Sequence, residues 1–213
     1  MSSRLTIFWR LPRTAGTSIT SGLREAGVDM VDMKSCNGER EGGPAIVSDT
    51  HTLPRDAAQW KWISEADLFG EDHYSQFSVV RHPAGRLVSL FHLFWQRPNL
   101  RHHVQTHGAT WGQYLKWCCQ GSVVLEYHAR NLQCLPAQNW LFIRNQRLPV
   151  TIGRFEDLPA TWDTICKLVG VTGDLPRHEV STHGEPRTYF KPDERRMVSD
   201  HYGWEMKEFG YEW

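Results

Sequence analysis

A chain of 213 residues that is 40% hydrophobic, 23% charged and 12% aromatic, with 17 glycines and 11 prolines, has the make-up of an ordinary globular protein and excludes disorder, collagen and simple repeats. Lysine plus arginine and aspartate plus glutamate both total 24, so no global basic excess points to nucleic acid. No apolar run reaches the ~18 residues of a membrane span, and the N-terminus enters a strand-like segment without a signal-type apolar stretch. No membrane partner and a cytoplasmic location are therefore expected. Five cysteines (Cys36, Cys118, Cys119, Cys134 and Cys166) form an odd set without a C-x-x-C pair, so free thiols are expected. No linker rich in Gly, Ser or Pro interrupts the chain, and a single domain over residues 1–213 is the expectation; oligomeric state is not legible.

In chain order, Leu5 to Trp9 is a short apolar run that reads as a strand, followed by a turn and a helix over Ser18 to Ala26, where Ile19 and Leu23 repeat at helical spacing. Ala45 to Ser48 and Phe77 to Val80 are further strands, the latter leading through Arg81-His82-Pro83 into a helix carrying Leu87, Leu90, Phe91 and Phe94. Trp111 to Cys119 reads as a helix with Tyr114, Leu115 and Cys118 inward. Val150 to Ile152 is a strand, and the helix after it has Pro159 in its first turn, Trp162, Ile165 and Val169 on one face, and Gly170 at its end. Pro192 to Phe209 is helical, with Met197, His201 and Met206 on one face and Gly203 as a weak point. Strands alternating with helices predict an α/β fold, a central parallel β-sheet flanked by helices.

Charge is distributed unevenly. Between Asp72 and Glu126 there is no acid, while the interval carries Arg81, Arg86, Arg97, Arg101 and Lys116 and six histidines, His73, His82, His92, His102, His103 and His107. Its field is positive, which suits an anionic ligand or, in the plainer reading, a solvated face paired with acids from elsewhere. Arg10-Leu-Pro-Arg-Thr-Ala-Gly-Thr-Ser18 lies between a strand and a helix, where backbone N–H groups and the helix dipole favour an anion. It lacks the G-x-x-x-x-G-K-[ST] spacing but has the same parts: a tight turn, a cation, small residues and hydroxyls. The alternative is a helix start capped by Thr14 or Thr17. The second element, Val80-Arg81-His-Pro-Ala-Gly-Arg86-Leu-Val-Ser89, places an arginine at a strand's carboxyl end and a serine two helical turns on. Two such segments on neighbouring strands fit a nucleotide with two anionic ends.

Pro12 to Ser18 and Val80 to Ser89 together resemble the two nucleotide-binding elements, P-K-T-x-x-T-S and V-R-x-P-x-x-R-x-x-S, of the sulfotransferases that use 3′-phosphoadenosine 5′-phosphosulfate (PAPS), especially the carbohydrate branch. Ile152 to Leu158, Val180 to Tyr189 and Phe209 to Tyr211 are similar to later family segments, and the likeness is weakest from Arg97 to Cys134. The resemblance implies a P-loop-like sulfotransferase fold with PAPS as cosubstrate and no metal. Sulfuryl transfer would go to a hydroxyl, less readily an amine, of a small-molecule or glycan acceptor. Arg13, Thr14, Ala15, Gly16, Thr17 and Ser18 would hold the 5′ end, Arg81 and Ser89 the 3′-phosphate, and Ser181 and Arg187 would close over it. The family has lysine where this chain has Arg13, which stays charged and acts electrostatically without donating its proton.

The acceptor hydroxyl must lose a proton, and a histidine suits that work near neutral pH. His51, after the strand Ala45 to Ser48, is placed like the family's catalytic histidine; His82 is the second choice, and Asp49 either orients His51 or acts itself. A metal bound by His102, His103 and His107 with nearby cysteines matches no zinc spacing, and an exposed basic loop with Arg97 and Arg101 meeting the acceptor is preferred. The alternatives to a working sulfotransferase are a nucleotide-binding protein of the same scaffold with impaired turnover, and a P-loop-like small-molecule kinase.

Overall fold

The computed structural model describes residues 5–32, 45–47, 53–58, 63–70, 74–96, 110–120, 131–178 and 183–213. The chain divides into two compact units, residues 1–80 with 137–179 and residues 81–136 with 180–213. Each unit is made of two separate stretches of sequence. That interleaving is why no Gly/Ser/Pro-rich linker marks a boundary: the chain passes from one unit to the other three times, at Val80–Arg81, where a strand ends, at Pro136–Ala137 and at Glu179–Val180.

The first unit holds a five-stranded sheet in the order β2-β3-β1-β4-β7, with every pairing parallel. Its strands are β1 (Leu5–Trp9), β2 (Met30–Asp32), β3 (Ala45–Val47), β4 (Tyr74–Val80) and β7 (Val150–Arg154). A two-stranded antiparallel hairpin, β5 (Phe142–Ile143) with β6 (Gln146–Arg147), turns through Arg144 and Asn145, both left-handed at φ 48° and 67°. β1 is almost wholly apolar because both faces of the sheet are covered, the pattern of a parallel sheet. Phe8 points to one side, stacked on Phe77 at 4.5 Å, among Ile19 and Leu23 of α1 (Gly16–Glu25) and Trp162 and Ile165 of α7 (Leu158–Val169). Ile7 and Trp9 point to the other, with Ala57 of α2 (Pro54–Ala57), Leu68 of α3 (Glu65–Phe69), Ile143 and Leu148. Each such buried side chain contributes roughly 1.5–3 kcal/mol of transfer free energy.

Polar groups inside this sheet are satisfied. The Trp9 indole N–H donates to Gln76 Oε1 at 2.8 Å, and Gln76 in turn donates to the Leu68 carbonyl at 2.6 Å. Ser78 Oγ donates to the Trp9 carbonyl at 2.7 Å, tying the carboxyl end of β1 to β4. At the far edge, the Thr161 hydroxyl accepts from Arg154 N–H and donates to Arg154 O, fastening the end of β7 to α7. The expected features of α7 are present: Pro159 in the first turn, an Asp157 cap accepting from Ala160 N–H, and Gly170 left-handed at φ 80°. Ala45–Val47 and Tyr74–Val80 realise the two middle strands, the latter three residues longer at its start than the apolar run alone predicts.

The second unit is helical. It contains α4 (Pro83–Gln96), α5 (Trp111–Gln120), α8 (Pro192–His201) and α9 (Gly203–Glu208), around a core of Leu87, Leu90, Phe91, Tyr114, Leu115, Phe190, Val198 and Tyr202. α6 (Gln138–Leu141) belongs to the first unit. The expected C-terminal helix is two helices parted at Tyr202 and Gly203, the position read as its weak point. Its inward face differs in part from the expected one: Met206 is buried as expected, but Glu194, Val198 and Tyr202 are buried while Met197 and His201 are only half-buried. Tyr202 decides the face, because its ring fills the core and its hydroxyl donates to the Cys134 carbonyl at 2.6 Å.

The four described cysteines are free thiols. Cys118 and Cys134 are buried with their sulfurs 2.9 Å apart. Burial and this thiol–thiol contact hold the Cys118 pKa well above the ordinary range, and burial pushes Cys119 up to about 12.

Candidate functional site

β1 lies between β3 and β4, and the chain runs from β1 out to the edge at β2 before returning. The order therefore reverses beside β1, and in open α/β sheets ligands collect outside the carboxyl ends of the strands at such a point. The loop after β1 is residues 10–15, ending at the start of α1. Arg13 and Ala15 both take left-handed backbone, at φ 63° and 62°. Left-handed backbone in a residue with a Cβ is costly, about 1–3 kcal/mol each, and such strain concentrates at ligand-binding turns. Alternation of handedness turns successive N–H groups into one concavity, the geometry that holds anions.

Neither threonine caps the helix. Ala15 is the capping residue and has no side-chain cap, while the buried Thr14 hydroxyl donates to the Leu11 carbonyl at 2.8 Å and stitches the turn. Ser18 is also buried, and its hydroxyl accepts from His178 N–H at 3.0 Å, so it anchors the loop's helix to the segment after α7. Thr17 accepts a hydrogen bond from the Arg10 guanidinium at 2.9 Å and keeps its own proton to donate. No acid occupies the first turn of α1. Arg10, Arg13, Ala15 and Thr17 are the half-buried residues of this turn and of the first turn of α1. Sequence reading did not single out the contact of Arg10, which follows the last residue of β1 directly, with Thr17.

The segment after β4 lies in the second unit. Arg81 follows Val80 directly, is half-buried, and folds back across the first turn of α4, where a Cβ on Gly85 would stand 2.8 Å from Arg81 Nε. Ser89 sits two turns on and is buried. Arg86, in the same motif, does different work. It is 3% exposed, donates to the Leu135 carbonyl at 2.8 Å, lies 3.6 Å from Glu205 and faces the Tyr202 ring at 5.4 Å. Burial opposes its charge, but Glu205 and Tyr202 outweigh that and its pKa is raised.

His82, the second choice of base, is committed elsewhere. Its Nδ1 accepts from Ala84 N–H at 3.0 Å, which leaves the ring proton on Nε2, donated to the Glu212 carbonyl at 2.9 Å. The neutral ring thus starts α4 and clasps the C-terminus. Arg187 is exposed on a 3-10 turn over Pro186–Tyr189, and Tyr189 meets His92 of α4, hydroxyl to Nε2 at 3.0 Å. Partial burial and the neighbouring His183 lower the His92 pKa. His51, Asp49 and Ser181, with Arg97, Arg101, His102, His103 and His107, lie outside the described residues. Among the described residues no group of three or more His, Cys, Asp or Glu is placed to hold a metal, and no helix is long and apolar enough to cross a membrane.

Two comparisons bear on this arrangement. The fold is that of a sulfotransferase: the chain is similar to the crystal structure of mouse sulfotransferase SULT7A1 complexed with PAP, with a TM-score of 0.56 at 14% identity, over 95% of this chain and 85% of that one. Residues 44–212 match the sulfotransferase family model, so the chain belongs to the sulfotransferase family. No curated protein sequence matches it. The family match begins after the loop that follows β1 and includes the whole segment after β4. Membership of this family sets the small-molecule kinase alternative aside; the chain is a sulfotransferase, an enzyme that moves a sulfuryl group.

Proposed function

We propose that the 213 residues act as one sulfotransferase domain that takes PAPS as its cosubstrate and passes the sulfuryl group to a hydroxyl of a small-molecule or glycan acceptor. The observation that carries this reading is the loop after β1, with two left-handed residues, a hydroxyl and two cations at the positive end of a helix. The PAP held by the mouse relative supports the choice of nucleotide.

The residues present suit a nucleotide charged at both ends. The N–H groups of Thr14 to Ser18 and the Thr17 hydroxyl take the 5′-phosphosulfate, and Arg13 stabilises the charge that grows on the bridging oxygen as the sulfur–oxygen bond breaks. Thr14, Ala15, Gly16 and Ser18 serve through backbone and shape, since the Thr14 and Ser18 hydroxyls already hold the turn. Arg81 and Ser89 take the 3′-phosphate and thereby discriminate against ATP. Arg187 and Ser181 close over it. His51 removes the acceptor's proton, an assignment that rests on family resemblance and on its place after β3, the strand paired with β1. A glycan acceptor is favoured by the carbohydrate-branch likeness of both motifs and by the basic stretch around Arg97 and Arg101. No step calls for a metal.

The test is calorimetric titration with 3′-phosphoadenosine 5′-phosphate, ATP and 5′-AMP, for the intact protein and Arg81→Ala. Preference for the 3′-phosphorylated nucleotide, lost in the variant, is the expected result, and a screen of acceptors then follows. Tighter binding of ATP overturns the reading. Binding without sulfated product from any acceptor marks a scaffold with impaired turnover.

A further inference from the structure

Three helices of the second unit hold the same two residues of chain, Cys134 and Leu135, at the end of the 3-10 turn Asn131–Cys134. From α4, Arg86 donates to the Leu135 carbonyl at 2.8 Å. Tyr202, between α8 and α9, donates to the Cys134 carbonyl at 2.6 Å. From the last turns of α5, Cys118 places its sulfur 2.9 Å from that of Cys134. The two cysteines are 6% and 5% exposed and share one core with Tyr114 and Tyr202. Two of these ties are hydrogen bonds to backbone. The third joins two groups that can also be bonded covalently.

Two thiols alone do not make a structural zinc site, which takes four ligands, and among the described residues no group of three or more His, Cys, Asp or Glu is placed to hold a metal. Cys119 is half-buried and, as the next residue of α5, projects about 100° further around the helix axis than Cys118. Cys166 belongs to the first unit. The chemistry open to Cys118 and Cys134 is therefore with each other.

We propose that Cys118 and Cys134 are a reversible disulfide site, closed by a peroxide and reopened by a dithiol, that staples α5 to the two residues already held by α4 and Tyr202. The sulfur of one cysteine, as thiolate, attacks the O–O bond of hydrogen peroxide and becomes a sulfenic acid, and the hydroxide set free takes up the thiol's proton as water. The second sulfur then displaces hydroxide from the sulfenic sulfur; the S–S bond forms and the second thiol's proton leaves in another water. The two sulfurs lose two electrons in all, and the peroxide gains two. A small uncharged oxidant suits a pair this deeply buried. Sulfurs already in contact close without rearranging the core around them. Because burial and the thiol–thiol contact raise the Cys118 pKa, thiolate is scarce at neutral pH and closure quickens as the pH rises. The closed ring spans residues 118–134 and restricts the unfolded chain, so the bridged form is the more stable one. None of this depends on the nucleotide reading above.

The experiment treats the full chain with hydrogen peroxide at about pH 8, blocks the remaining thiols, and digests the unfolded chain with trypsin without reduction. Mass spectrometry is expected to show the peptide Trp117–Arg130 joined to Asn131–Arg144, with fragmentation placing the bridge on Cys118 and not on Cys119. Dithiothreitol is expected to separate the two peptides. The melting temperature of the bridged protein is expected to stand about 5–10 °C above that of the reduced protein and to return on reduction. Cys119→Ala keeps both changes, and Cys134→Ala abolishes them; the peptide map of the unmodified chain decides the matter even if Cys134→Ala fails to fold. Thiols that survive the treatment, sulfinic acid at either residue in place of the bridge, or a bridge through Cys119 or Cys166 overturns the inference. A bridged form that melts no higher than the reduced one overturns the staple.

Discussion

Arg81 and Arg86 are five residues apart in one motif, and the structure gives them opposite duties. Arg81 is half-buried and lies on the first turn of α4, while Arg86 is 3% exposed and spends its donors on Leu135 O and Glu205. The loop after β1 shows the same division among its hydroxyls: Thr14 and Ser18 are buried and hold the turn, and Thr17 is half-buried and available. In both regions burial, not residue type, separates the groups that hold the fold from those nearer the surface; Ser89, buried like Thr14 and Ser18 yet proposed for the 3′-phosphate, is the exception. A motif match alone assigns all of them to the ligand.

The largest test of that contrast is Arg86→Ala, which leaves Glu205 without its buried cation and is expected to cost about 3–5 kcal/mol in chemical denaturation. Replacing both, as Arg86→Met with Glu205→Leu, is expected to recover much of that loss, since a buried pair is often no better than a well-packed apolar one. Next in size, Arg81→Ala is expected to weaken binding of the 3′-phosphorylated nucleotide by about 1.5–3 kcal/mol with a melting temperature near that of the intact protein. A melting point that falls as far as in Arg86→Ala would erase the distinction between the two arginines.

Two smaller effects sharpen the picture of the second unit. Burial, with Arg86 nearby, lowers the His201 pKa from its ordinary 6.5. The unfolded chain therefore takes up that proton first, so this contribution to stability is complete above pH 6.5 and is lost as the pH falls through the folded value. His201→Gln is expected to flatten the melting temperature over that acidic range, and an unaltered slope would place the dependence on another group. The smallest effect is chemical: with its thiol pushed up to about 12, Cys119 is expected to resist iodoacetamide at pH 8 in the folded protein and to react on unfolding. Rapid labelling without unfolding would show that the thiol is less buried than described.

Much of the fold was legible because its signals are local. The apolar runs Leu5–Trp9 and Phe77–Val80 read as strands, and Ile19 with Leu23, and Trp162 with Ile165, read as helix faces. Pro159 and Gly170 bracket α7 as their backbone preferences require. The strands β2, β5 and β6 were missed because two or three residues carry no periodicity. The expected face held at Met206, which is buried in α9, but missed Tyr202, whose ring fills the core and whose hydroxyl reaches a carbonyl 68 residues away.

The candidate site divides along the same line. Sequence by itself determined that two strand–loop–helix joints carry arginines, small residues and hydroxyls, because those identities are written in the chain and a helix start attracts anions wherever it forms. It did not determine that β3 and β4 flank β1, that the His82 proton lies on Nε2, or that Arg10 reaches over Gly16 to Thr17. Those are set by which groups the folded chain brings within hydrogen-bonding distance and shields from water, and no short window of sequence contains both partners and their burial.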